Sequence, residues 1–398
     1  MNWPTVQLGS LCRFQGGSAF PRHEQGLIRG DIPFIKVSDM TLSQNQLHIT
    51  AANNWVSHET IKRLKLKPAP PSSIVFAKIG EGLKAERLRL ITRPTVIDNN
   101  MMAAIPNEDV DATFLFYLLH NLHLAHYAEG SALPYLRASD LSQLFVQLPP
   151  LQEQRLIAET LEVLDVKIES NRKVIELFQN LSRAMYGAWR ETLTELHSST
   201  FGEFAEVFGG STPKTSVSEY WDGGIAWTTP TDITALSAPY LFSTARTISD
   251  SGLASSSATL HPAGTIFMTS RATIGSFAVN QIPAATNQGF IAVRPRHSIH
   301  RWFLFEEMRS RVAEMLDRAN GSTFMELSRG NFKSMVIEVP VEDKLAELDA
   351  TLSPIHAKAA QLVRESSRLS SLRDALLPEL ISGRVRISDH QEVVQGFV

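Results

Sequence analysis

One long helical segment constrains the fold of this chain more than any other feature. It follows Pro149 and Pro150, and neither Gly nor Pro occurs again until Gly187. Apolar residues recur through it at steps of four, three, four, seven, three and seven, at Ile157, Leu161, Leu164, Ile168, Ile175, Phe178 and Met185. Heptad spacing of this kind is typical of a helix that packs along another helix. A helix over residues 149–190 would be roughly 60 Å long, far beyond the usual globular helix.

Two polar residues, Asn171 and Ser182, interrupt the apolar seam. Asn171 can fix the register against a partner helix, or it can be a tolerated polar residue on a partly exposed seam, and the sequence leaves both interpretations open. Leu177 and Leu181 widen the apolar stripe. The segment therefore allows more than one partner face.

A second segment of this type, residues 339–383, closes the chain. Its offset from the first is constant, since 352 − 161 = 191 for Leu161 and Leu352, and 340 − 149 = 191 for the prolines Pro149 and Pro340. The segments upstream match at offsets of 188 to 193, a drift that loop insertions would produce. Its seam consists of Leu352, Ile355, Ala359, Leu362, Leu369 and Leu376.

The duplication predicts an α/β (α+β) protein that repeats a globular unit and a long helix. We expect globular domains at 1–148 and 198–339, spacer helices at 149–197 and 340–386, and a tail at 387–398. Apolar runs of strand length occur at 32–37, 72–79, 99–106, 145–148 and on both sides of a loop within 264–279. Helices are expected at 113–128, with Asp111 or Thr113 as the cap, and at 300–319, while 384–387 favours a strand.

Composition excludes several classes of protein. The 398 residues carry a net charge of −3, so a nucleic-acid partner would have to be held by local basic loops or with the help of other subunits. No apolar run predicts a transmembrane helix, and the N-terminus does not resemble a secretory signal. A single cysteine, Cys12, excludes an internal disulfide and is expected to be a small buried side chain. A cytoplasmic location fits these features.

The sequence also lacks the motifs of several catalytic sites. No G-x-x-x-x-G-K-[ST] segment is present to bind ATP, and no N-P-P-aromatic segment to methylate adenine. The Gly pairs at 16–17 and 209–210 favour tight turns at strand ends over a cofactor loop. Glu342, Asp343 and Lys344 favour a helix start over a nuclease site. His120, His123 and His126 favour a solvated helix face over a metal site, so we expect neither a metal nor a cofactor.

Several features together resemble the specificity (S) subunit of type I restriction–modification systems. They are the P-x-x-E-Q junction that ends at Gln154, the heptad helices, the segment TSRATIG at 269–275, the Gly-Ser turns at Gly130 and Gly321, and the ending LLPELISGRVRI at 376–387. The resemblance covers essentially the whole chain. Two departures occur, because the second junction lacks the Glu-Gln pair and the first helix lacks the ending of its sister.

The resemblance implies a division of labour. Each globular domain would be a target-recognition domain that recognises one half of a bipartite site in double-stranded DNA. The two helices would pack as an antiparallel coiled coil, separate the domains by a set distance and bind modification (methyltransferase) subunits, through which restriction subunits join. One S chain per complex and no catalytic residues are implied. A rod of about 60 Å corresponds to roughly 1.8 turns of B-DNA, so both domains would lie on one face of the duplex.

Candidate DNA-contacting residues are basic, hydroxyl or aromatic side chains beside Gly-containing loops, where arginine can bind guanine while lysine and hydroxyls bind phosphate. In the first unit they are Lys78, Lys84, Arg87, Arg89, Tyr135 and Arg137, and in the second Thr269, Ser270, Arg271, Thr273, Phe324 and Arg329. Two other functions stay open: a DNA methyltransferase that acts alone, and a coiled-coil scaffold that binds only proteins.

Overall fold

The computed structural model describes residues 3–130, 132–271, 273–321 and 325–387. The chain forms two compact units, one made of the residues up to Ser170 together with those from Ser367 onward, the other of Asn171–Ser366. Each unit therefore contains one globular domain and a part of both long helices. The tail that was expected at 387–398 lies outside the described residues except for Ile387.

The strands follow the same order in both halves of the sequence. The first half contains the strands β1 (Thr5–Gln7), β2 (Cys12–Gly16), β3 (Ile32–Ile35), β4 (His48–Ile49), β5 (Trp55–Val56), β6 (Ile74–Ala77), β7 (Leu88–Ile91), β8 (Val96–Ile97), β9 (Met101–Pro106) and β10 (Phe145–Gln147). Its helices are α1 (His58–Leu64), α2 (Gly80–Lys84), α3 (Ala112–Asn121), α4 (Ala138–Ser142) and the long α5 (Leu151–Glu191).

The second half contains the strands β11 (Leu196–Thr200), β12 (Ala205–Gly209), β13 (Trp221–Thr228), β14 (Tyr240–Leu241), β15 (Arg246–Ile248), β16 (Ile266–Thr269), β17 (Phe277–Asn280), β18 (Ala284–Thr286), β19 (Phe290–Pro295) and β20 (Val336–Pro340). Its helices are α6 (Phe201–Phe204), α7 (Pro230–Thr234), α8 (Asp250–Ala254), α9 (Arg301–Ser310), α10 (Val312–Asp317), α11 (Arg329–Lys333) and the long α12 (Glu342–Ile381). Short 3-10 turns lie at Leu8–Ser10, Arg22–Glu24, Val37–Thr41, Leu124–Tyr127, Ser218–Tyr220 and Ser298–His300.

Strand order confirms the internal repeat. The first unit has a five-stranded sheet in the order β2-β9-β6-β7-β4, a three-stranded sheet β5-β3-β8 and the pair β1-β10. The second has β12-β19-β16-β17-β14, β15-β13-β18 and β11-β20, the same orders with every strand number raised by ten. In both five-stranded sheets the last two strands pair in parallel, while the others pair antiparallel. The two folds are therefore one topology used twice.

The five-stranded sheets lie between two apolar layers. In the first unit Ile74 and Phe76 of β6 face a core shared with α3 and the long helices, whereas Val75 faces a second core beneath the small sheet. The second unit repeats this alternation with Ile266 and Met268 on one face and Phe267 on the other. Both faces are covered, so the strands are continuously apolar, as fully buried strands are expected to be.

Most predicted elements occur, with differences at their ends. Asp111 caps α3 by accepting a 2.9 Å hydrogen bond from the Phe114 amide. The predicted helix 113–128 ends early because His123 adopts a left-handed conformation (φ 51°) before a 3-10 turn. The predicted helix 300–319 divides into α9 and α10 at Arg311. The prediction of a strand at 384–387 was wrong, because this segment has no ladder partner among the described residues and Val385 bonds back to Glu379.

The long helices have a continuous heptad seam. In α5 the positions from Ile157 to Trp189 at alternating steps of four and three are all buried or half-buried, and Asn171 and Ser182 lie on this seam. All nine predicted packing residues, Leu161, Leu164, Ile168, Ile175, Phe178, Leu352, Ile355, Leu362 and Leu369, are buried or half-buried. The helix α12 continues through Pro354 and Pro378, although a proline inside a helix costs about 3 kcal/mol, so tertiary packing must override local preference.

The two helices run antiparallel within the second unit. Asn171 donates to Ser366 at 3.3 Å, and eleven residues further along α5 Ser182 lies 2.9 Å from His356, ten residues earlier in α12. Asn171 is only 2% exposed. Burial and a cross-helix partner favour the interpretation that Asn171 fixes the register over a tolerated polar residue on an exposed seam. Leu177 and Leu181 lie on the outer side of α5, 66% and 45% exposed.

A polar cluster joins the globular domain to the helices in each unit. In the first unit Asp165 of α5 accepts hydrogen bonds from Tyr117 of α3 (2.7 Å) and from Arg373 of α12 (2.5 Å). In the second unit Ser182 of α5 donates to Glu306 of α9 (2.8 Å) and lies 2.9 Å from His356 of α12. The His356 ring also stacks on Trp302 and approaches the Tyr240 hydroxyl at 2.8 Å.

The P-x-x-E-Q junction closes the first domain onto α5. The indole of Trp3 donates to Glu153 at 3.0 Å, and the buried Gln154 accepts from the Asp111 amide and donates to the Pro149 carbonyl, both at 3.0 Å. In the second unit Leu345 occupies the position of Gln154 (345 − 154 = 191) and is fully buried. No helix in the described ranges is long and apolar enough to cross a membrane.

Candidate nucleic-acid interface

Lys78 follows β6 at the edge of the five-stranded sheet. Its backbone continues the ladder, because its amide donates to Asn100 and its carbonyl accepts from Leu136, both at 2.8 Å. This pairing directs the side chain over the end of β2, where a Cβ added to Gly16 would lie 3.6 Å from Lys78 Nζ. The Lys78 ammonium forms no hydrogen bond or ion pair with the described residues, so it is available to an anionic ligand.

Tyr135 and Arg137 lie beside this strand extension and share an acidic partner. The Tyr135 hydroxyl and the Arg137 guanidinium each approach Glu129 at 2.9 Å, and Arg137 also donates to Tyr135 at 2.5 Å. The hydrogen bond with Tyr135 and the charge of Glu129 raise the pKa of Arg137. All three side chains are in contact with solvent, so a phosphate could replace Glu129 at little cost.

The remaining basic residues of the first unit differ in their availability. Lys84 ends α2 and pairs with Glu81 at 2.6 Å on the surface. Arg87 is exposed. Arg89 lies on β7, where its guanidinium donates to the carbonyls of Asn45, Met40 and Leu88, and burial lowers its pKa to about 10. Arg89 therefore holds a loop of its own domain.

In each unit the segment after β6 or β16 forms an isolated β-bridge with the segment before α4 or α11, and we call this bridged region the crossing. The crossing of the second unit has different side chains from that of the first. Arg271 forms a β-bridge with Glu326, and a 2.8 Å ion pair joins their side chains. Glu326 forms a second β-bridge with Asn320. The first unit has the same two bridges, from Ile79 to Tyr135 and from Tyr135 to Glu129. Of the nearby hydroxyls, Thr269 and Ser270 are buried, while Thr273 is exposed. Thr269 bonds within its own loop, through Thr273 and Ser276.

Arg329 occupies in the second unit the place that Lys78 occupies in the first. A Cβ added to Gly209, at the end of β12, would lie 3.7 Å from Arg329 Nη1. The residue aligned with Lys78 is the buried Ser270 (270 − 78 = 192), so sequence alignment alone would not have paired Lys78 with Arg329. The predicted Phe324 lies outside the described residues.

Each strand end is fixed by the second glycine of its Gly pair. A Cβ on Gly17 would lie 1.8 Å from the Asp98 carbonyl oxygen, and one on Gly210 would lie 2.0 Å from that of Asn287. Close backbone approach, and not the tight turn that was predicted, explains these glycines. The result in both units is a cation that has no partner among the described residues and lies over a rigid strand end, an arrangement that suits a phosphate oxygen.

His120, His123 and His126, which lie near each other in the sequence, differ in their environments. His123 Nδ1 lies 3.1 Å from Glu86, and His126 is next to it. His120 is half-buried, and burial lowers its pKa. No group of three potential ligands that could hold a metal occurs in the described part of the chain.

Comparison with known protein families identifies the family to which the two units belong. The family model described as the type I restriction modification DNA specificity domain matches residues 1–177 and again residues 195–353. The chain belongs to this family. The two matches coincide with the two copies of the sheet topology.

Individual relatives share between 20% and 35% of the aligned residues with this chain. The specificity subunit of the type I restriction enzyme MjaIX from Methanocaldococcus jannaschii is 35% identical over 153 residues, which are 38% of this chain and 35% of that subunit. The EcoR124I/EcoR124II specificity subunit from Escherichia coli is 25% identical over 261 residues, 61% of this chain and 63% of that subunit. The chain thus spans less than two thirds of either relative. The HindI specificity subunit from Haemophilus influenzae is 20% identical over 374 residues, covering 73% of this chain and 81% of that subunit.

A solved structure shares the fold. The crystal structure of the S subunit of a type I restriction–modification system from M. genitalium matches with a TM-score of 0.62 at 17% identity, covering 96% of both chains. At this identity the likeness concerns the arrangement of the elements and not the residues of a site.

Proposed function

We propose that the protein is the DNA-recognition subunit of a type I restriction–modification enzyme. Residues 1–148 and 198–339 each bind one half of a bipartite site in double-stranded DNA. Residues 149–197 and 340–386 set the spacing between the half-sites and bind modification subunits, with restriction subunits joining through them and one S chain per complex. Chromosomal DNA as the ligand fits a cytoplasmic location.

The observation that carries the proposal is the double match to the specificity-domain model on two copies of one topology. An asymmetric bipartite site requires two DNA-binding domains, because each half-site then has its own protein surface. Two copies of one topology supply them. The strand ends and crossings of the two units also differ in their side chains, with Lys78 and Arg137 in the first unit and Arg329 and Arg271 in the second. Different side chains on a shared backbone would give different half-sites.

Within each unit the proposed contacts fall into two kinds. Lys78 and Arg329 bind phosphate, because each is a cation that lies over a strand end and has no partner in the described ranges. Tyr135, Arg137, Arg271 and Thr273 lie on the exposed crossings and are the candidates for contacts with bases, while Lys84 and Arg87 add positive charge. We leave Arg89, Thr269 and Ser270 out of the contact set, since they are buried or bonded within their own loops.

The long helices supply length and an apolar docking face. At 41 and 40 residues each is roughly 60 Å long, enough for two half-sites more than one turn of DNA apart. Leu177 and Leu181 are too exposed to serve the seam of α5. We infer that this outer face contacts a modification subunit, since large exposed apolar side chains in a row mark a protein partner.

We further propose that this chain has no catalytic residues of its own. The cluster that most resembles a catalytic triad, Ser182 with His356 and Glu306, is completely buried between α5, α9 and α12. Burial lowers the pKa of His356 to about 3, so it is a poor base at neutral pH. A stand-alone methyltransferase would need cofactor and catalytic motifs that the sequence lacks.

Genome-wide mapping of methylated adenines tests the proposal. The full chain would be co-expressed with a type I modification subunit from the same genome in a host without adenine methylation of its own. We expect co-purification of the two subunits and methylation at one asymmetric sequence with an unspecified gap between two half-sites. The modification subunit expressed alone is the control and should leave the sequence unmodified.

Other outcomes separate the alternatives. A scaffold that binds only proteins predicts co-purification without any methylated motif. A stand-alone methyltransferase predicts methylation by this chain in the absence of the modification subunit. A single uninterrupted motif would contradict the assignment of one half-site to each domain.

A further inference from the structure

The loop between β2 and β3 exposes two large apolar residues at its tip. Leu27 is 56% exposed and Ile28 is 77% exposed. The loop starts at Gly17, immediately after the strand end over which the Lys78 ammonium lies. Side chains of this size are normally placed in a core, and exposing them in a row costs solubility unless a partner covers them.

The loop backbone is firmly held, so the exposure follows from the fold. The Gly26 amide donates to the side chain of the buried Asn54 at 2.9 Å, and the Leu27 carbonyl accepts from the Trp55 amide at 2.8 Å. Gln25 adds a 2.9 Å bond to the Phe20 carbonyl. A tip fixed on both sides cannot bury its side chains by folding back.

The second unit shows that this position need not be exposed. The sequence offset is 193 on both sides of this loop, from Gly16 to Gly209 and from Ile32 to Ile225, so Leu27 aligns with Tyr220. The next residue, Trp221, is only 7% exposed and packs against Trp227, whereas Ile28 at the same place points outward. The exposed residues of the second loop are instead polar, namely Lys214, Thr215, Ser216, Ser218 and Glu219.

The charged side chains around the first tip favour an anionic partner. The two acids of the loop are used internally, since Glu24 pairs with Arg63 and Asp31 accepts from the His58 amide at 2.8 Å. The two arginines, Arg22 and Arg29, are exposed and form no side-chain hydrogen bond or ion pair with the described residues. Along the sequence, the two apolar residues therefore lie between two exposed arginines that have no partner among the described residues.

We propose that the Leu27–Ile28 tip is a wedge that enters a base step of the DNA half-site bound by the first unit. Proteins that bend DNA insert Leu, Ile, Met or Phe between bases through the minor groove, while neighbouring arginines bind the adjacent backbone. The cost of unstacking depends on the step, so the wedge adds specificity for flexible pyrimidine–purine steps without bonding to base edges. This inference rests on the proposed function.

The test begins with a duplex that the protein itself selects from a random-sequence library, using the full chain with its modification subunit. A 2-aminopurine base is then placed at each step of the first half-site in turn. Apart from the adenine that the modification subunit methylates and takes out of the stack, wild-type protein should raise the fluorescence at one step, where stacking is lost. The double variant Leu27→Ser/Ile28→Ser should lose that signal and bind the selected duplex at least tenfold more weakly.

Two further variants keep the result interpretable. Ile28→Lys adds a positive charge at an exposed position that places no demand on folding; a wedge predicts weaker binding and no fluorescence change, whereas a tip that only lies along the phosphates predicts tighter binding and overturns the proposal. Phe145→Ser replaces another exposed apolar residue of the first unit and should bind as wild type does. Wild type should bind a duplex with a mismatch at the wedge step more tightly than the matched duplex, whereas the double variant should bind both duplexes with equal affinity.

The ways of failing are distinct. If the wild-type complex selects no sequence, the proposed function fails and the wedge with it. Selection with equal affinity and equal fluorescence for the double variant overturns the wedge alone. Loss of the modification subunit from the double variant, with DNA binding retained, assigns the tip to a protein contact and also overturns the wedge.

Discussion

The two junctions between globular domain and helices occupy equivalent positions but use different chemistry. Offsets of 189, 191 and 191 relate Tyr117 to Glu306, Asp165 to His356, and Ser182 to Arg373. The first unit joins its three positions through a carboxylate that accepts from a phenol and a guanidinium. The second joins them through a hydroxyl that lies between a carboxyl and an imidazole.

This difference shows what the repeat retains. The place of the polar contact is the same in both units, because α3 and α9 meet the long helices at the same heptad position. The first junction depends on a half-buried ion pair, while in the second burial keeps His356 neutral and raises the pKa of Glu306. Each junction should therefore respond to a different perturbation.

The largest effect is expected from Arg373→Ser, which places the residue of the second junction into the first. Asp165 would keep its bond to Tyr117 but lose its counter-charge while its side chain is only 11% exposed. Removing one partner of a buried pair is strongly destabilising, and we expect a loss of about 3 kcal/mol in the free energy of unfolding. Urea denaturation measures the loss, and hydrogen exchange should locate it in peptides up to residue 170 and from 367 onward.

The double variant Asp165→Asn/Arg373→Ser is the control. It removes the stranded charge and should recover a part of the stability, giving a favourable coupling in the double-mutant cycle. Equal losses in both variants, or faster exchange confined to residues 171–366, would show that the ion pair does not hold the first junction.

An intermediate effect is expected from pH at the second junction. The pKa of His356 is lowered from 6.5 to about 3 by burial, so between pH 7 and pH 5 the unfolded chain takes up a proton that the folded chain does not. The unfolding free energy should therefore fall as the pH is lowered, by about 2 kcal/mol from this group. Glu306, whose pKa is raised, gives the opposite dependence, so a variant is needed to isolate His356.

The variant His356→Gln removes the titration while keeping an amide between Ser182 and Tyr240. Its unfolding free energy, measured at pH 7 and pH 5, should fall by about 1–2 kcal/mol less than that of wild type. An identical pH dependence in His356→Gln would assign the acid sensitivity to another group.

Periodicity was sufficient to predict the long helices and the duplication. The heptad steps around Leu161 and Leu352 gave the seam, and the constant offset of 191 gave the repeat. Local pattern gave the type of most elements but not their ends, because these depend on single residues such as His123 in a left-handed conformation. Pro354 shows the opposite limit, since local preference predicts a helix end where tertiary packing continues α12.

The candidate site was less predictable, for a physical reason. Lys78 and Arg329 reach equivalent strand ends from different sequence positions, and no periodicity relates them. Whether an arginine is available depends on its partners, so Arg89 and Arg87, two residues apart, have opposite environments. The Leu27–Ile28 tip follows from a loop held by Asn54 and Trp55, which the sequence alone does not place next to it.

The smallest effect tests whether the two strand ends are equivalent in function. Lys78→Ala and Arg329→Ala each remove one proposed phosphate contact, so each should weaken binding several-fold and reduce the slope of log K against log salt by about 0.9. Fluorescence anisotropy on the selected duplex between 50 and about 200 mM salt measures both quantities. Lys333→Ala, an exposed cation at the end of α11, is the matched control and should leave the slope as in wild type.

Each of the two substitutions should weaken binding to a different half-site. Lys78→Ala should weaken binding to duplexes that carry only the first unit's half-site, and Arg329→Ala only those that carry the second. If both act on the same half-site, the two cations do not belong to equivalent readers. If Arg329→Ala has no effect while Arg271→Ala lowers the slope, the phosphate contact of the second unit lies on the exposed crossing, and the two units bind DNA through different parts of one fold.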